Sequence, residues 1–327
     1  MGDTMSGTGR NGTLAGTTEA ELREAFARED YVAEDDVVTT VLLALRLGKP
    51  LLVEGEPGSG KTELGTTLAA GFDTELIRLQ CYEGLAAENT LYEWNYTKQL
   101  LSVQAGERGV AGGAGDEPAD AAASAGEESV FGEEYLLERP LLRALSSDGD
   151  VPPVLLIDEI DRADEEFEAL LLEVLSEFQV SIPEYGTVRA DVPPVVVITS
   201  NRTRGLSDAL KRRCLYLHVE PPSFGKEREI VRRKVPELDG AVAAEVCAVT
   251  RELRDEPLLK HPGVAETLDW AHAVAELRHD GDGSLSAAEI ENTLGCLLKE
   301  VEDVQRVDDS LLESLLAAAS EARAAEG

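Results

Sequence analysis

The sequence predicts an α/β domain built on a five-stranded, mainly parallel sheet, followed by a smaller all-α domain. Two continuous apolar runs rich in β-branched residues, 154–157 and 195–199, are typical of parallel strands covered on both faces. Further predicted strands are the short apolar run at 50–55, which leads into a glycine-rich turn, and the segments 74–81 and 215–219. From Pro221 onward the apolar pattern is helical and contains no convincing strand. Strands followed by a run of helices favour two domains of different class.

The polar stretches between these runs set the expected domain boundaries. Residues 1–18 are small and polar and are predicted to form a disordered N-terminus, residues 19–220 the α/β domain, and residues 221–327 the helical domain. The stretch 19–47 looks helical. Residues from about 104 to 130 are mostly Gly, Ala, Asp and Glu with almost nothing to bury, which predicts a flexible surface insertion.

One helix can be placed by its periodicity. Between the third and fourth predicted strands, apolar residues repeat at spacings of 3, 1, 3, 1 and 3, which puts them on one helical face: Phe167, Leu170, Leu171, Val174, Leu175 and Phe178. The stripe indicates packing against a core, because a cofactor role would need polar groups that it does not contain.

The charge balance is strongly acidic. The chain carries 64 acidic and 30 basic residues, a formal net charge of −34. An excess this large repels nucleic acid and anionic membranes and is typical of proteins that live in concentrated salt. The acidic residues are spread along the whole chain, which favours this halophilic interpretation over a dedicated acidic interaction surface. We therefore expect no nucleic-acid partner and no membrane insertion.

The remaining composition points to a cytoplasmic protein. The first eighteen residues lack the apolar centre of a secretory leader, and no apolar run approaches the roughly 20 residues that span a bilayer. The four cysteines lie far apart without a CxxC pair, which argues against a zinc knuckle and a disulfide framework.

A glycine-rich segment, GEPGSGKT, follows the first predicted strand and precedes a helix that begins near Thr62. It matches the pattern G-x-x-x-x-G-K-[ST], in which glycines let backbone N–H groups converge on phosphates at a helix N-terminus. Lys61 is expected to reach the β- and γ-phosphates of ATP, and the Thr62 hydroxyl to bind Mg²⁺. The candidate cofactor-binding segment is Gly55, Glu56, Pro57, Gly58, Ser59, Gly60, Lys61, Thr62 and Glu63.

Two acids end the third predicted strand, VLLIDEID. A carboxylate at the carboxyl end of a strand beside the phosphate loop can hold Mg²⁺, and a second one next to it can polarise the attacking water. Asp158 is therefore the candidate metal-side residue and Glu159 the candidate general base. A strand end with acids can also be a simple solvated turn, and it is the phosphate loop that favours the catalytic interpretation.

The fourth predicted strand ends in Thr199, Ser200 and Asn201. An amide at the tip of the strand next to the metal-binding strand can hold the lytic water or the γ-phosphate. The alternative is an ordinary turn-forming asparagine, since Asn is common in loops. The surrounding order of motifs favours a functional role for Asn201.

This order of motifs resembles that of AAA+ ATPases and, within them, the MoxR-like group. The phosphate loop, the acid-bearing strand, Asn201 and the arginine-bearing segment LSDALKRRCLYLHVEPP follow one another as in that family. Further MoxR-like stretches are QCYEGLAAENTLYEWNYTKQLL, PLLRAL, QVSIPEYGTVRA and KHPGVAETLDWAHAV. The resemblance covers about residues 20–305 and implies an AAA+ P-loop domain with a helical lid.

The resemblance also implies roles for residues outside the nucleotide motifs. Arg213, or its neighbour Arg212, resembles the arginine finger that one subunit presents to the γ-phosphate of the next, which implies a homo-oligomeric ring, expected to be a hexamer. Val32 resembles the adenine-pocket position. The insert at 82–101 and the hairpin near 185–186 resemble elements with which the family engages substrates or partners.

The implied function is a Mg²⁺-dependent, ATP-hydrolysing remodelling chaperone. In the MoxR-like group the client is often a protein with a von Willebrand A-type domain, in the maturation of an enzyme complex or the insertion of its metal cofactor. One alternative is a nucleotide-gated binding scaffold with little turnover. Another is a small-molecule kinase, against which the paired acids and the helical C-terminal domain argue.

One segment departs from the family pattern. Many relatives carry an arginine, called sensor 2, near the start of the helix that here reads GVAETLDWAHAV, yet residues 263–265 contain none. Lys260 and His261 are the candidate substitutes. How the lid would sense the nucleotide is therefore open.

A possible calcium loop, LRHDGDGSLSAAE, also occurs in the helical domain. Its acids fit several loop positions, but the first position, which needs a carboxylate, is Arg278. The segment instead predicts a turn before a helix that is capped by Ser286, with Glu289 completing a capping box.

Overall fold

The computed structural model describes residues 14–86, 88–102, 132–183, 185–278 and 283–326. Five strands form its central sheet: β1 (Leu51–Gly55), β2 (Leu76–Gln80), β5 (Val154–Asp158), β8 (Val195–Ser200) and β9 (Leu215–Val219). They lie in the order β2-β5-β8-β1-β9, and every neighbouring pair is parallel. The carboxyl ends of all five strands therefore meet at one edge, and the predicted five-stranded sheet is confirmed.

Helices cover both faces of the sheet, because alternate strand residues point into two separate cores. Leu51 and Val53 face α1 (Glu19–Arg28), α2 (Asp35–Leu47) and α3 (Lys61–Gly71). Leu52 faces the opposite core, to which three other helices contribute: α6 (Pro140–Leu145), α7 (Glu165–Glu177) and α8 (Asp208–Arg213). Burial on both sides explains why the central strands β1, β5 and β8 are almost continuously apolar, whereas the edge strands β2 and β9 alternate between buried and exposed residues.

Helix α7 has the predicted apolar face. Phe167, Leu171, Val174 and Leu175 are buried in the core, and Asp164 caps the helix by accepting a hydrogen bond from the Phe167 N–H. Phe178, the last member of the predicted stripe, is the C-cap residue in the left-handed region, with a φ of 49°. The stripe thus packs against the core, as its spacing indicates. The helix ends at Glu177, one residue before Phe178.

Two inserts project from this framework. Between β2 and β5 lie α4 (Glu88–Leu91), the helical residues 96–102 as α5, and an antiparallel pair formed by β3 (Tyr92–Trp94) and β4 (Leu136–Glu138). Between α7 and β8, β6 (Gln179–Ile182) and β7 (Gly186–Arg189) form the predicted hairpin. The predicted flexible insertion at 104–130 lies outside the described residues.

The described residues after Val219 contain helices and no strand. A third core joins five of them, α9 (Phe224–Lys234), α10 (Gly240–Asp255), α11 (Val264–Leu277), α12 (Ala287–Leu297) and α14 (Asp309–Ala324), and α13 (Val301–Arg306) precedes the last. Trp270 is fully buried in this core and donates its indole N–H to Thr293 Oγ1 at 2.6 Å. None of the described helices is long and apolar enough to cross a membrane.

The expected disordered N-terminus, 1–18, extends too far. Residues 1–13 lie outside the described residues, but Leu14–Gly16 form a short 3₁₀ helix and Thr17 is buried. Thr18 is the N-cap of α1 in a complete capping box with Glu21. Helical structure begins earlier because the cap at Thr18 supplies hydrogen-bond partners to the backbone of this polar segment and Thr17 is buried. Composition alone reveals neither contact.

The helical stretch expected at 19–47 is two helices. They are separated at residues 29–34, where Asp30 has a φ of 53° and the Tyr31 ring packs against Phe26 at 5.2 Å between centroids. A left-handed residue ends a helix, and this break places Val32 between α1 and α2.

The N-terminus of α12 is capped as predicted. Ser286 caps α12 in a capping box with Glu289. Arg278 pairs with the Glu289 carboxylate at 2.7 Å, so the carboxylate at the last position of the possible calcium loop is already neutralised. The possible ligands Asp280 and Asp282 lie outside the described residues.

Candidate functional site

A cleft of about 430 Å³ lies at the carboxyl edge of the sheet, where the helical domain faces it. It is bordered by the α1–α2 break, the phosphate loop, the ends of β5 and β8, and helices α9 and α11. Its lining includes Tyr31, Val32, Pro57, Gly58, Ser59, Gly60, Lys61, Thr62, Glu63, Asp158, Glu159, Thr199, Asn201, Lys226, Lys234, Val264 and Ala265. Ligands of open parallel sheets bind at this edge.

The glycine-rich loop holds a buried lysine. Gly58 and Gly60 have φ values of 78° and 90°, which favour glycine. Lys61 starts α3, and its Nζ donates to the carbonyl oxygens of Gly55 at 3.0 Å and Glu56 at 2.6 Å. Burial lowers the pKa of Lys61, against the opposing pull of nearby carboxylates. The ammonium is thus held by two neutral carbonyls that a phosphate, as an anion, can replace.

The residues present fit a nucleotide with Mg²⁺. The Ser59 hydroxyl is buried in the loop and has no hydrogen-bond partner among the described residues, so a bound phosphate would satisfy it. The Thr62 hydroxyl donates to Asp158 Oδ1 at 2.9 Å, which places a hydroxyl and a carboxylate side by side. Oxygen donors of this kind, supplemented by substrate phosphates and water, are the ligands that Mg²⁺ prefers.

Asp158 is buried and has donors on both carboxylate oxygens. Oδ1 accepts from the hydroxyls of Thr62 and, at 2.5 Å, Thr199. Oδ2 is paired with the Arg78 guanidinium at 2.5 Å. Three chain segments therefore fix the orientation of the predicted metal-side carboxylate.

Glu159 follows in an unusual backbone conformation. Its φ is 56°, and its N–H donates to Thr199 Oγ1 at 2.9 Å, so β8 holds the turn in place. Its carboxylate is partly exposed and pairs with Arg162 at 3.0 Å. A left-handed non-glycine residue is strained, and such strain is concentrated at functional sites.

Asn201 lies at the end of β8 and is anchored by Asp161. The Asn201 N–H donates to Asp161 Oδ1 at 3.0 Å, while Oδ2 accepts from the N–H and the hydroxyl of Thr203. Burial raises the pKa of Asp161, but the hydrogen bonds from Thr203 and Asn201 outweigh it and leave the pKa below its ordinary value. Sequence reasoning missed Asp161, although it is the second aspartate of the quoted DEID motif.

The helical domain contributes two lysines that sequence reasoning also missed. Lys226 pairs with Glu34 at 2.9 Å, and Lys234 pairs with Glu63 at 2.8 Å. Both lysines line the cleft from α9. Glu63, predicted to bind the cofactor, therefore already has a partner in the lid. The signal that could have identified these lysines was the number of basic residues in α9, a helix that faces acidic residues at the edge of the cleft.

The two candidates for the missing sensor 2 arginine do not line this cleft. Lys260 lies 3.9 Å from Glu266, and the ring of His261 lies 3.2 Å from the Glu256 carbonyl oxygen. The part of α11 that lines the cleft is apolar and consists of Val264, Ala265 and Leu268.

Other predicted residues are placed as follows. Val32 lines the cleft, whereas Gly55 and Glu56 line an adjacent pocket together with Arg202 and His218. Arg212 and Arg213 are exposed in the last turn of α8 and are not among the lining residues of the cleft. Arg213 donates to Ser176 Oγ at 3.2 Å, and Arg212 makes no hydrogen bond or ion pair with a described residue.

A lysine buried under a glycine-rich loop at the start of a helix, opposite acids at the end of a neighbouring parallel strand, is the arrangement of P-loop nucleotide-binding proteins. The helices after Val219 add the lid of the AAA+ fold. Residues 50–214, just over half of the chain, match the AAA domain (dynein-related subfamily). The chain belongs to this family.

The sequence is also similar to two staphylococcal proteins described as uncharacterized. One, from Staphylococcus haemolyticus, is 25% identical over 228 residues, which cover 68% of this chain and 74% of the relative. The other, from Staphylococcus aureus, is 28% identical over 180 residues, which cover 53% of this chain and 56% of the relative.

Among solved structures, the chain is similar to the Thermotoga maritima RuvB Holliday junction branch migration motor. The identity is 15%, the TM-score is 0.43, and the match covers 88% of this chain and 69% of that one. A variant of the same protein matches with 14% identity and a TM-score of 0.45, over 94% of this chain and 73% of the other. The family assignment rests on the domain match.

Proposed function

We propose that the protein is an ATP-hydrolysing AAA+ ATPase of the MoxR type that remodels a protein partner. The observation that carries this proposal is the convergence of Lys61, Thr62, Asp158, Glu159 and Asn201 on one cleft. These residues come from β1–α3, β5 and β8, and together they supply a phosphate-binding lysine, two metal-side oxygens, an acid and an amide.

Each group has a role in phosphoryl transfer to water. The phosphate loop and Lys61 bind the β- and γ-phosphates, which draws the ammonium away from the Gly55 and Glu56 carbonyls. Thr62 and Asp158 would hold Mg²⁺, and the bound ion would supply positive charge beside the phosphates. Glu159 accepts a proton from the attacking water, and Asn201 orients that water or the γ-phosphate. Val32, which lines the cleft, is proposed to contact the adenine.

The arginine finger acts between subunits in this proposal. Arg213 and Arg212 are exposed on α8 and do not line the cleft of their own chain. An arginine that stabilises transition-state charge from outside requires a neighbouring copy, which supports a ring, and we propose a hexamer. Either arginine can fill the role.

The proposed client is a protein, by resemblance one with a von Willebrand A-type domain. The insert between β2 and β5 and the β6–β7 hairpin carry exposed aromatic side chains, Tyr82, Tyr96 and Tyr185, which suit contact with another protein. The charge of −34 supports a cytoplasm of high salt and argues against a nucleic-acid client.

Phosphate release at high potassium chloride tests the proposal. Purified protein should release phosphate from ATP to water in the presence of Mg²⁺, and a Glu159→Gln control should not. Transfer of phosphate to a small-molecule acceptor would identify a kinase instead.

A nucleotide-gated scaffold is the second candidate, and the Glu159–Arg162 ion pair favours it because Oε2 of the candidate general base is already paired with a guanidinium. Tight ATP binding with negligible turnover, even with a partner protein present, would establish the scaffold.

A further inference from the structure

An arginine is paired with Asp158, the carboxylate that the proposed Mg²⁺ would bind. Arg78 is on β2, the edge strand that pairs with β5 in the register Gln80 opposite Asp158. Arg78 thus lies two residues before the carboxyl end of β2. Its side chain extends along the sheet to the neighbouring strand end, where its Nη2 lies 2.5 Å from Asp158 Oδ2.

The contacts of Asp158 leave Oδ2 to this guanidinium. The Thr62 and Thr199 hydroxyls both donate to the other oxygen, Oδ1. The same Nη2 of Arg78 also donates to Gln80 Oε1 at 3.0 Å, which orients the guanidinium. A cation that approaches Asp158 from the Thr62 side therefore meets a carboxylate already paired with a positive charge.

The two partners differ in their freedom to move. The Asp158 side chain is 3% exposed and is held by the two threonines, whereas the Arg78 side chain is 51% exposed. A buried carboxylate without a counter-charge is costly, so Arg78 stabilises the metal-free site. A half-exposed guanidinium is charged at all working pH values and can rotate into water at small cost.

We propose that Arg78 is a positioning residue that acts as the resident cation of the metal site. It neutralises Asp158 when Mg²⁺ is absent and competes with Mg²⁺, or with the water that Mg²⁺ carries, for Oδ2. This inference rests on the proposed ATP·Mg²⁺ function. When Mg²⁺ binds, its positive charge would thus replace that of Arg78 at the Asp158 carboxylate. The ion pair between Arg78, on β2, and Asp158 would then set the Mg²⁺ concentration that nucleotide binding requires.

A magnesium titration tests the exchange. MgCl₂ is titrated into protein with a fluorescent, non-hydrolysable ATP analogue, and the concentration that gives half-maximal binding is measured for the wild type, Arg78→Gln and Arg78→Lys. Arg143→Gln is the matched control, because it removes an arginine–carboxylate pair with Glu75 that is exposed on both sides and remote from Asp158. Melting temperatures are measured in EDTA and in saturating Mg²⁺ with the analogue.

Arg78→Gln should lower the half-saturating Mg²⁺ concentration about threefold or more, because a positive charge near the incoming dication is removed. It should also lower the melting temperature in EDTA and recover part of that loss with Mg²⁺. Arg78→Lys should fall between the two, and Arg143→Gln should match the wild type. An unchanged or increased Mg²⁺ requirement in Arg78→Gln would overturn the proposal.

Two further outcomes keep the inference separate from the function that it rests on. If the wild type binds the analogue without any Mg²⁺ dependence, the proposed ATP·Mg²⁺ site itself fails. If Arg78→Gln does not fold, Arg78→Met decides, since it also removes the charge but keeps a long side chain: a lower half-saturating concentration than that of the wild type supports the proposal, and an unchanged or higher one contradicts it.

Discussion

The carbonyl oxygen of Gly58 accepts a hydrogen bond from the backbone N–H of Val264 at 3.3 Å, so the phosphate loop and the first turn of α11 are in direct contact. A Cβ atom on either Gly58 or Gly263 would lie 3.0 Å from the Cα of the other. The two backbones can approach this closely only because neither residue has a side chain. This contact joins the lid to the phosphate loop at the start of α11, where the resemblance to MoxR-like proteins leads us to expect a sensor 2 arginine.

Gly263→Ala tests this contact. The added methyl group should push the lid from the loop and weaken ATP binding, with a loss of stability of about 1–3 kcal/mol typical of overpacking. Nucleotide titration and thermal melting measure the two effects. Gly205→Ala is the control, since a Cβ there meets no atom within 4 Å. Equal behaviour of the two variants would show that the contact does not matter.

Lys61→Ala should remove most ATP binding. The variant loses the ammonium that faces the β- and γ-phosphates, and charge-assisted hydrogen bonds of about 3 kcal/mol in total correspond to a fall in affinity of about 100-fold. Calorimetric titration with ATP measures this change. Lys211→Ala, an exposed lysine on α8, is the matched control. Near-normal affinity in Lys61→Ala would refute the phosphate-site assignment.

Glu159→Gln should separate binding from hydrolysis. The amide keeps the size of the side chain but cannot accept a proton, so ATP and Mg²⁺ affinity should persist while turnover falls about 10²–10⁴-fold. Phosphate release and nucleotide titration on the same preparation give both values. Full turnover in this variant would mean that another residue is the base.

Local patterns predicted the fold and the nucleotide motifs, because each lies within one strand, turn or helix. The phosphate loop, the strand ending in Asp158 and the capping box of Ser286 with Glu289 are of this kind. The partners of these residues were not predicted. Arg78 and Asp158 are 80 residues apart, and Lys234 and Glu63 are 171 apart. Only the strand order and the packing of the lid bring such pairs together, and a single sequence carries no local sign of either.

Acid stability should depend on one ion pair in the lid. The hydrogen bond from Arg278, aided by Ser286, lowers the pKa of Glu289 to about 2 from its ordinary 4.5. Because the folded pKa is depressed, the pair's stabilisation is present above about pH 4.5 and is lost as the pH falls through about 2. The melting temperature of Glu289→Gln should therefore lie below the wild type at pH 7, and the gap should shrink towards pH 2.

Arg278→Gln gives the matched test for that pair. Removal of the arginine should raise the pKa of Glu289 and reproduce most of the loss at pH 7. A gap between wild type and Glu289→Gln that stays constant from pH 7 to pH 2 would contradict the role of ionisation.

Arg213→Ala should abolish hydrolysis without weakening ATP binding, and if Arg213 is not the finger, Arg212→Ala should do so. A finger stabilises charge that develops only in the transition state and is worth about 10³–10⁵ in turnover in other P-loop enzymes. Ser176→Ala is the control, because it removes the hydrogen bond from Arg213 Nε and leaves the guanidinium in place. Phosphate release and nucleotide titration should be normal in the control.

Mixing variants tests whether the finger acts between copies of the chain. If the arginine and Glu159 that form one site belong to different subunits, a ring assembled from Arg213→Ala and Glu159→Gln protein contains some interfaces with both groups intact. The mixture should therefore hydrolyse ATP faster than either variant alone. If each subunit catalysed independently, the rate of the mixture would only be the average of the two low rates. Subunit exchange is verified first with fluorescently labelled protein. If exchange occurs and turnover is not recovered, the arginine acts within its own chain or takes no part in the reaction.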